Sequence, residues 1–227
     1  METKMKNVGS FLNRIRSNIN GATKTGAYLF LGMAAVLLSY WFSSITAHAD
    51  DISFRWDIIS VDFSTGTLSA GGIASARAND CVPLGSTNCS KITLTGSGTF
   101  VPGDSEEVTG GGTWQTFDNT GTFKGGGNYK VIRLVRWQQA PGTPPLPNDN
   151  IGNLADNRAG LVVLRISYDD GSQGVLVVSC HLVGTPNTVF EGITASKGFV
   201  DYWNREAPPA PPGNANRTTF HIISEAD

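Results

Sequence analysis

Two histidines, one glutamate and a few arginines carry most of the chemistry this sequence could perform. His181 and His221, with a carboxylate such as Glu191, could share acid–base work or hold a metal ion. Their spacing is not diagnostic, because the two histidines stand 40 residues apart. Hydrogen-bonded or exposed histidines are the plainer alternative, and no cofactor or metal is expected. Arg133 or Arg136 with Arg165 and His181 would suit a small anionic ligand, because a guanidinium fork matches carboxylate and phosphate geometry. The competing role for these arginines is structural pairing with Glu191, Asp201 and Glu206. Cys180 and His181 are adjacent, so on a strand they face opposite ways and cannot form a nucleophile–base dyad. Ser179 shares a face with His181, but no Gly-x-Ser-x-Gly elbow surrounds it.

The elements that must position these residues are strands. β-Branched and aromatic runs punctuated by Gly, Asn and Asp mark strands near 53–63, 67–78, 91–101, 108–117, 128–138, 160–168, 173–183, 198–203 and 218–224. The glycine clusters 110–112 and 125–127 fit bulges and tight corners, and neither is followed by the helix a phosphate loop needs. Residues 160–168 and 173–183 flank Asp169-Asp170-Gly171, which reads as a three-residue hairpin loop with Gly in the left-handed position. That loop sets Tyr168 opposite Ser172. One face then carries Val162, Leu164, Ile166, Tyr168, Leu176, Val178, Cys180 and Leu182, and is wholly apolar. The other mixes Leu161, Val163 and Val175 with Arg165 and His181. Strict alternation over 128–138 puts Tyr129, Val131, Arg133, Val135 and Trp137 on one face, and Lys130, Ile132, Leu134 and Arg136 on the other. The proline-rich stretch 140–159 reads as a lid, binding loop or flap. Ala207-Pro-Pro-Ala-Pro-Pro212 reads as a stiff crossing before the last strand.

The start of the chain bears on location. Lys4, Lys6, Arg14, Arg16 and Lys24 precede an apolar run from Ala27 to Ile45, then Ala47-His48-Ala49. Basic flank, apolar segment and small-x-small exit describe a secretory signal peptide cleaved after Ala49. A retained anchor is the alternative, since the 19-residue run, which includes Ser39, Ser43 and Ser44, approaches the roughly 20 residues that span a bilayer. Residues 1–49 are thus expected to be a signal peptide helix, and 50–227 a single all-β extracytoplasmic domain, an antiparallel barrel or sandwich. The domain carries 12 basic and 18 acidic residues, a formal −6, which is no footprint for nucleic acid. A membrane enters only if the N-terminal segment stays uncleaved. Cys81 and Cys89, in a turn-rich insert, read as a disulfide outside the cytoplasm, and Cys180 as a buried, inert thiol.

The runs Val175 to Pro186 and Val189 to Pro208, with Asn216-Arg-Thr-Thr-Phe-His221, resemble a group of uncharacterised secreted bacterial proteins from about Phe54 to the end. That resemblance implies export and no particular activity. The insert bearing Cys81 and Cys89 looks like an addition to the group's pattern. Gly96-Ser-Gly-Thr-Phe100 and the order of strands also resemble allene oxide cyclase-like and dirigent-like barrels. Those barrels bind hydrophobic or phenolic ligands in a lumen without a metal. Two expectations for function follow. The first is a non-enzymatic binding or structural protein with a small anionic or hydrophobic ligand. The second is a barrel enzyme of the isomerase or lyase type using His181, Glu191 and His221.

Overall fold

Alternation in the strands and glycine at the turns build an antiparallel sheet that curls until it closes. The computed structural model describes residues 52–223. The N-terminal segment and its expected cleavage site lie outside the described residues. The first strands are β1 (Ser53–Asp62), β2 (Thr67–Ala70), β3 (Ala74–Arg77), β4 (Lys91–Leu94), β5 (Ser97–Phe100), β6 (Gly111–Phe117) and β7 (Phe123–Ala140). They are followed by β8 (Asn148–Asp149), β9 (Asn157–Tyr168), β10 (Gln173–Cys180), β11 (Gly192–Lys197), β12 (Val200–Tyr202), β13 (Asn204–Arg205) and β14 (Arg217–Ile223). Strands β9, β14, β1, β5, β6 and β7 pair in a ring, a closed antiparallel barrel of six strands. β10, β11 and β12 extend from β9, while β4, β3 and β13 extend from β6.

The hairpin at Asp170 forms as its residues dictate. Tyr168 N donates to Ser172 O at 2.9 Å, and Gly171 takes φ 86°, a conformation that glycine adopts without steric cost. The register then pairs Leu164 with Leu176 and Val162 with Val178. All eight residues of the apolar face are buried. They join Trp56, Ile58, Phe100 and Phe220 in one core, where Trp137 lies 4.7 Å from Phe220 between ring centroids. Trp56, Phe100, Phe220 and nine aliphatic side chains are all but fully buried there, so the barrel interior is filled by side chains. Trp114 is buried as well, whereas Trp203 is half exposed.

Several expected strands differ in detail. Residues 67–78 and 91–101 each break into two short strands, at 71–73 and 95–96. β11 was not expected, although it pairs with β10 from Leu176–Ala195 to Ser179–Gly192. The expected alternation in β7 is corrected most. The ladder with β9 shifts between Val131 and Arg133 and again between Leu134 and Arg136. Each bulge inserts one residue and re-phases the strand. Tyr129, Val131, Leu134 and Trp137 therefore turn inward, and Arg133 and Val135 turn outward. Strict alternation would have sent Arg133 into the core with Trp137, at the cost of burying an unpaired charge.

The stretch 141–156 is an ordered strap across the outer face of β1 and β14. Thr143 bridges to Val183, β8 pairs in parallel with β2, and a 3-10 turn spans Leu154–Asp156. Leu146 and Ile151 of the strap pack on Ile59, Val61 and Leu68, a second small apolar cluster.

Candidate functional site

The three expected acid–base residues fall on two sites. Glu191 sits where the end of β10 and the start of β14 need a common acceptor. His181 N donates to its Oε2 at 2.6 Å, and Thr218 N donates to its Oε1 at 2.6 Å. Thr218 Oγ1 in turn donates to the Ser179 carbonyl at 2.6 Å. Burial pushes the Glu191 carboxyl up to about 8, against the pull of the two N–H donors. The His181 imidazole does not touch Glu191. Its Nδ1 lies 2.7 Å from the Val189 carbonyl, so Nδ1 carries the proton in that bond. Beside this splice, Cys180 is fully buried and its thiol is held well above its ordinary range, first by burial and then by Glu191. Both features oppose formation of the thiolate, the reactive form.

His221 belongs to another cluster. Phe220 points into the core, so its neighbours Thr219 and His221 point out, beneath the strap. The register sets Arg55 opposite His221 and Asp57 opposite Thr219 on one side, and Asn157 opposite His221 on the other. His221 Nε2 lies 2.7 Å from Asp149 Oδ2, and both side chains are almost wholly buried. Asp149 Oδ1 accepts from Ile151 N at 2.8 Å and Gly152 N at 3.3 Å, which fixes the carboxylate within the strap. Gly152 must be glycine, because a Cβ there would come within 2.9 Å of the His221 ring. Arg55 forks onto Asp57 through Nε at 2.7 Å and a terminal nitrogen at 2.9 Å. Burial raises the Asp57 carboxyl, and the Arg55 bond offsets part of that rise. Asn157 Nδ2 donates to Thr219 Oγ1 at 2.7 Å. Two buried atoms here have no protein partner, His221 Nδ1 and Asn157 Oδ1. The cluster is an aspartate-oriented imidazole with one free nitrogen, sealed by the strap. Among the described residues, no group of three or more His, Cys, Asp and Glu is placed to hold a metal ion.

Sequence reasoning missed Asp149 and Asp57 as members of this cluster. Asp57 did carry a signal, being one carboxylate within the apolar run Trp56-Asp57-Ile58-Ile59. Asp149 had none, since its partner lies 72 residues away.

Arg133 and Arg165 come together, but not in an interior pocket with His181. They are direct cross-strand partners on the exposed outer face of β7 and β9. Lys130 and Arg136 extend the same face, opposite Ser167 and Val163. Arg133 pairs with Glu106 at 3.2 Å, and Arg165 donates to Gln173 Oε1 at 3.1 Å. Glu206, an expected partner of these arginines, instead pairs with Arg77. Cys81 and Cys89 form a disulfide.

These features define an all-β protein built on a closed six-stranded barrel with a disulfide-bonded surface loop. Comparison with protein-family models, with curated proteins and with solved structures gives no match.

Proposed function

We propose that this protein is an exported, non-enzymatic β-barrel that works by binding an extended anion on its outer surface. The observation that carries this reading is the exposed pair Arg133 and Arg165, flanked by Lys130 and Arg136, on the wall of a barrel whose interior is occupied by its own side chains. Successive outward positions on a strand repeat at about 7 Å, so the cations make a row suited to a chain of carboxylates or sulfates. The row stands out on a domain of formal charge −6, which would repel such a polymer elsewhere. The disulfide is compatible with a location outside the cytoplasm. Export itself rests on the N-terminal sequence, and a secreted form beginning at Asp50 is its signature in a mass measurement.

The test is retention of the protein on immobilised polygalacturonate at low salt. Arg133→Ser with Arg165→Ser weakens retention about tenfold or more if two charge-assisted contacts are lost. Absence of wild-type retention, or equal retention by the double variant, refutes the reading.

A second reading, a barrel enzyme of isomerase or lyase type, draws on the Asp149–His221 pair and its unpartnered Nδ1. It requires the strap to open. Acylation of His221 by diethyl pyrocarbonate in the folded protein supports that reading, and inertness of His221 opposes it.

A further inference from the structure

A second row of residues crosses the sheet at another place. The register puts Arg77 of β3 opposite Lys91 of β4, and Lys91 opposite Phe117 of β6. All three line a cleft of about 520 Å³. One wall is the disulfide-bonded loop at Cys89, and the other is the turn after β6, with Asp118, Asn119 and Thr120. The volume falls within the range of small-molecule sites, roughly 300–1,000 Å³.

The charges in this cleft are not equivalent. Arg77 is committed, to Glu206 and to the Thr87 carbonyl. Asp118 is turned into its own loop, where Oδ1 accepts from Thr120 N at 2.9 Å, Thr120 Oγ1 at 2.6 Å and Thr122 N at 3.0 Å. Those donors hold its carboxyl below the usual range, and Lys124 stands 4.0 Å from its other oxygen. Lys91 differs. Its ammonium lies 5.2 Å from the centre of the Phe117 ring, and among the described residues no carboxylate comes within 4.0 Å of it. A cation without a carboxylate partner thus adjoins an aromatic ring, in a cleft that the Asn119 amide on the turn also lines. The disulfide ties down the opposite wall, so the loop need not be ordered when a ligand enters.

We propose that this cleft binds a single acidic sugar residue, with its carboxylate on Lys91, its ring beside Phe117 and its hydroxyls on the Asn119 amide. A cation, an apolar wall and neutral polar groups are the three complements such a molecule needs. The site shares no residue with the Arg133–Arg165 face and does not depend on it.

Galacturonate monomer and neutral galactose are the probes, titrated calorimetrically into the full protein. Galacturonate binds about tenfold or more tightly than galactose, and Lys91→Gln removes that difference. Lys91→Arg keeps the charge and retains the preference, while Arg133→Ser with Arg165→Ser leaves monomer binding unchanged. Equal binding of the two sugars, no galacturonate binding, or galacturonate binding indifferent to Lys91→Gln overturns the proposal. Loss of monomer binding in the arginine double variant also overturns it, by moving the site to the outer face.

Discussion

The two sides of the β1–β14 pair are buried alike and held differently. Inside stand Trp56, Ile58 and Phe220, packed against the core from every direction. Outside, under the strap, stand Asp57, Thr219 and His221, equally hidden from solvent but joined by directed bonds. Apolar packing is non-directional and scales with area, so it can be trimmed and will partly relax. A buried polar cluster contributes little net stability when satisfied, yet loses much when one member is removed. The difference assigns separate tasks to the two faces. The inner face supplies stability, and the outer one fixes the path of a 16-residue strap.

The largest effect that would test this contrast comes from the inside. Phe220→Ala removes a ring in contact with Phe100 and Trp137 and lowers stability by about 3–5 kcal/mol, read by chemical denaturation. A loss below 1 kcal/mol would mean that the interior is not packed as described. On the outside, Asp149→Ala strips His221 of its carboxylate and costs about 1–3 kcal/mol. Its sharper signature is local, with faster hydrogen exchange and proteolysis confined to 141–156 while the barrel stays protected. Uniform loosening of the whole domain would erase the distinction between the faces.

A smaller, pH-dependent effect comes from Glu191. Its carboxyl titrates near 8 in the folded protein and near the ordinary 4.5 when unfolded. The unfolded chain therefore releases its proton first, and stability falls as pH rises from about 4.5 to 8, with a slope of up to about 1.4 kcal/mol per pH unit. Glu191→Gln removes the titrating group and flattens that slope, while its NH2 faces one of the two backbone donors and lowers stability by about 1–3 kcal/mol at every pH. A slope that survives the substitution would assign it to another group, Asp57 first, because burial raises that carboxyl too.

How much of this was legible in the sequence depended on how local each feature is. The turn and register of the Asp170 hairpin could be read, because its turn residues and its alternation agree on one register, although β10 ends at Cys180 and not at Val183. The disulfide could be read because its cysteines share one loop. β7 could not be phased, since its bulges at Ile132 and Val135 are fixed by fitting Leu134 and Trp137 into a core built by other strands. β11 went unseen because Gly192-Ile-Thr-Ala-Ser-Lys197 has few of the bulky residues that mark a strand. Its buried Ala195 lies between Leu176 and Tyr202 in the ladder. The candidate histidines were found, but their partners were not. Glu191 was expected at an imidazole and instead binds two backbone amides, an arrangement that only the meeting of β10 and β14 creates.

Cys180 tests the inward orientation of the barrel wall most directly. It is the one cysteine free of the Cys81–Cys89 bond, and it lies within the filled interior. Under native conditions its reaction with a thiol-specific aromatic disulfide should proceed no faster than global unfolding, and should accelerate with denaturant along the unfolding curve. Rapid stoichiometric labelling of the folded protein would put that face of the sheet in water and contradict the account.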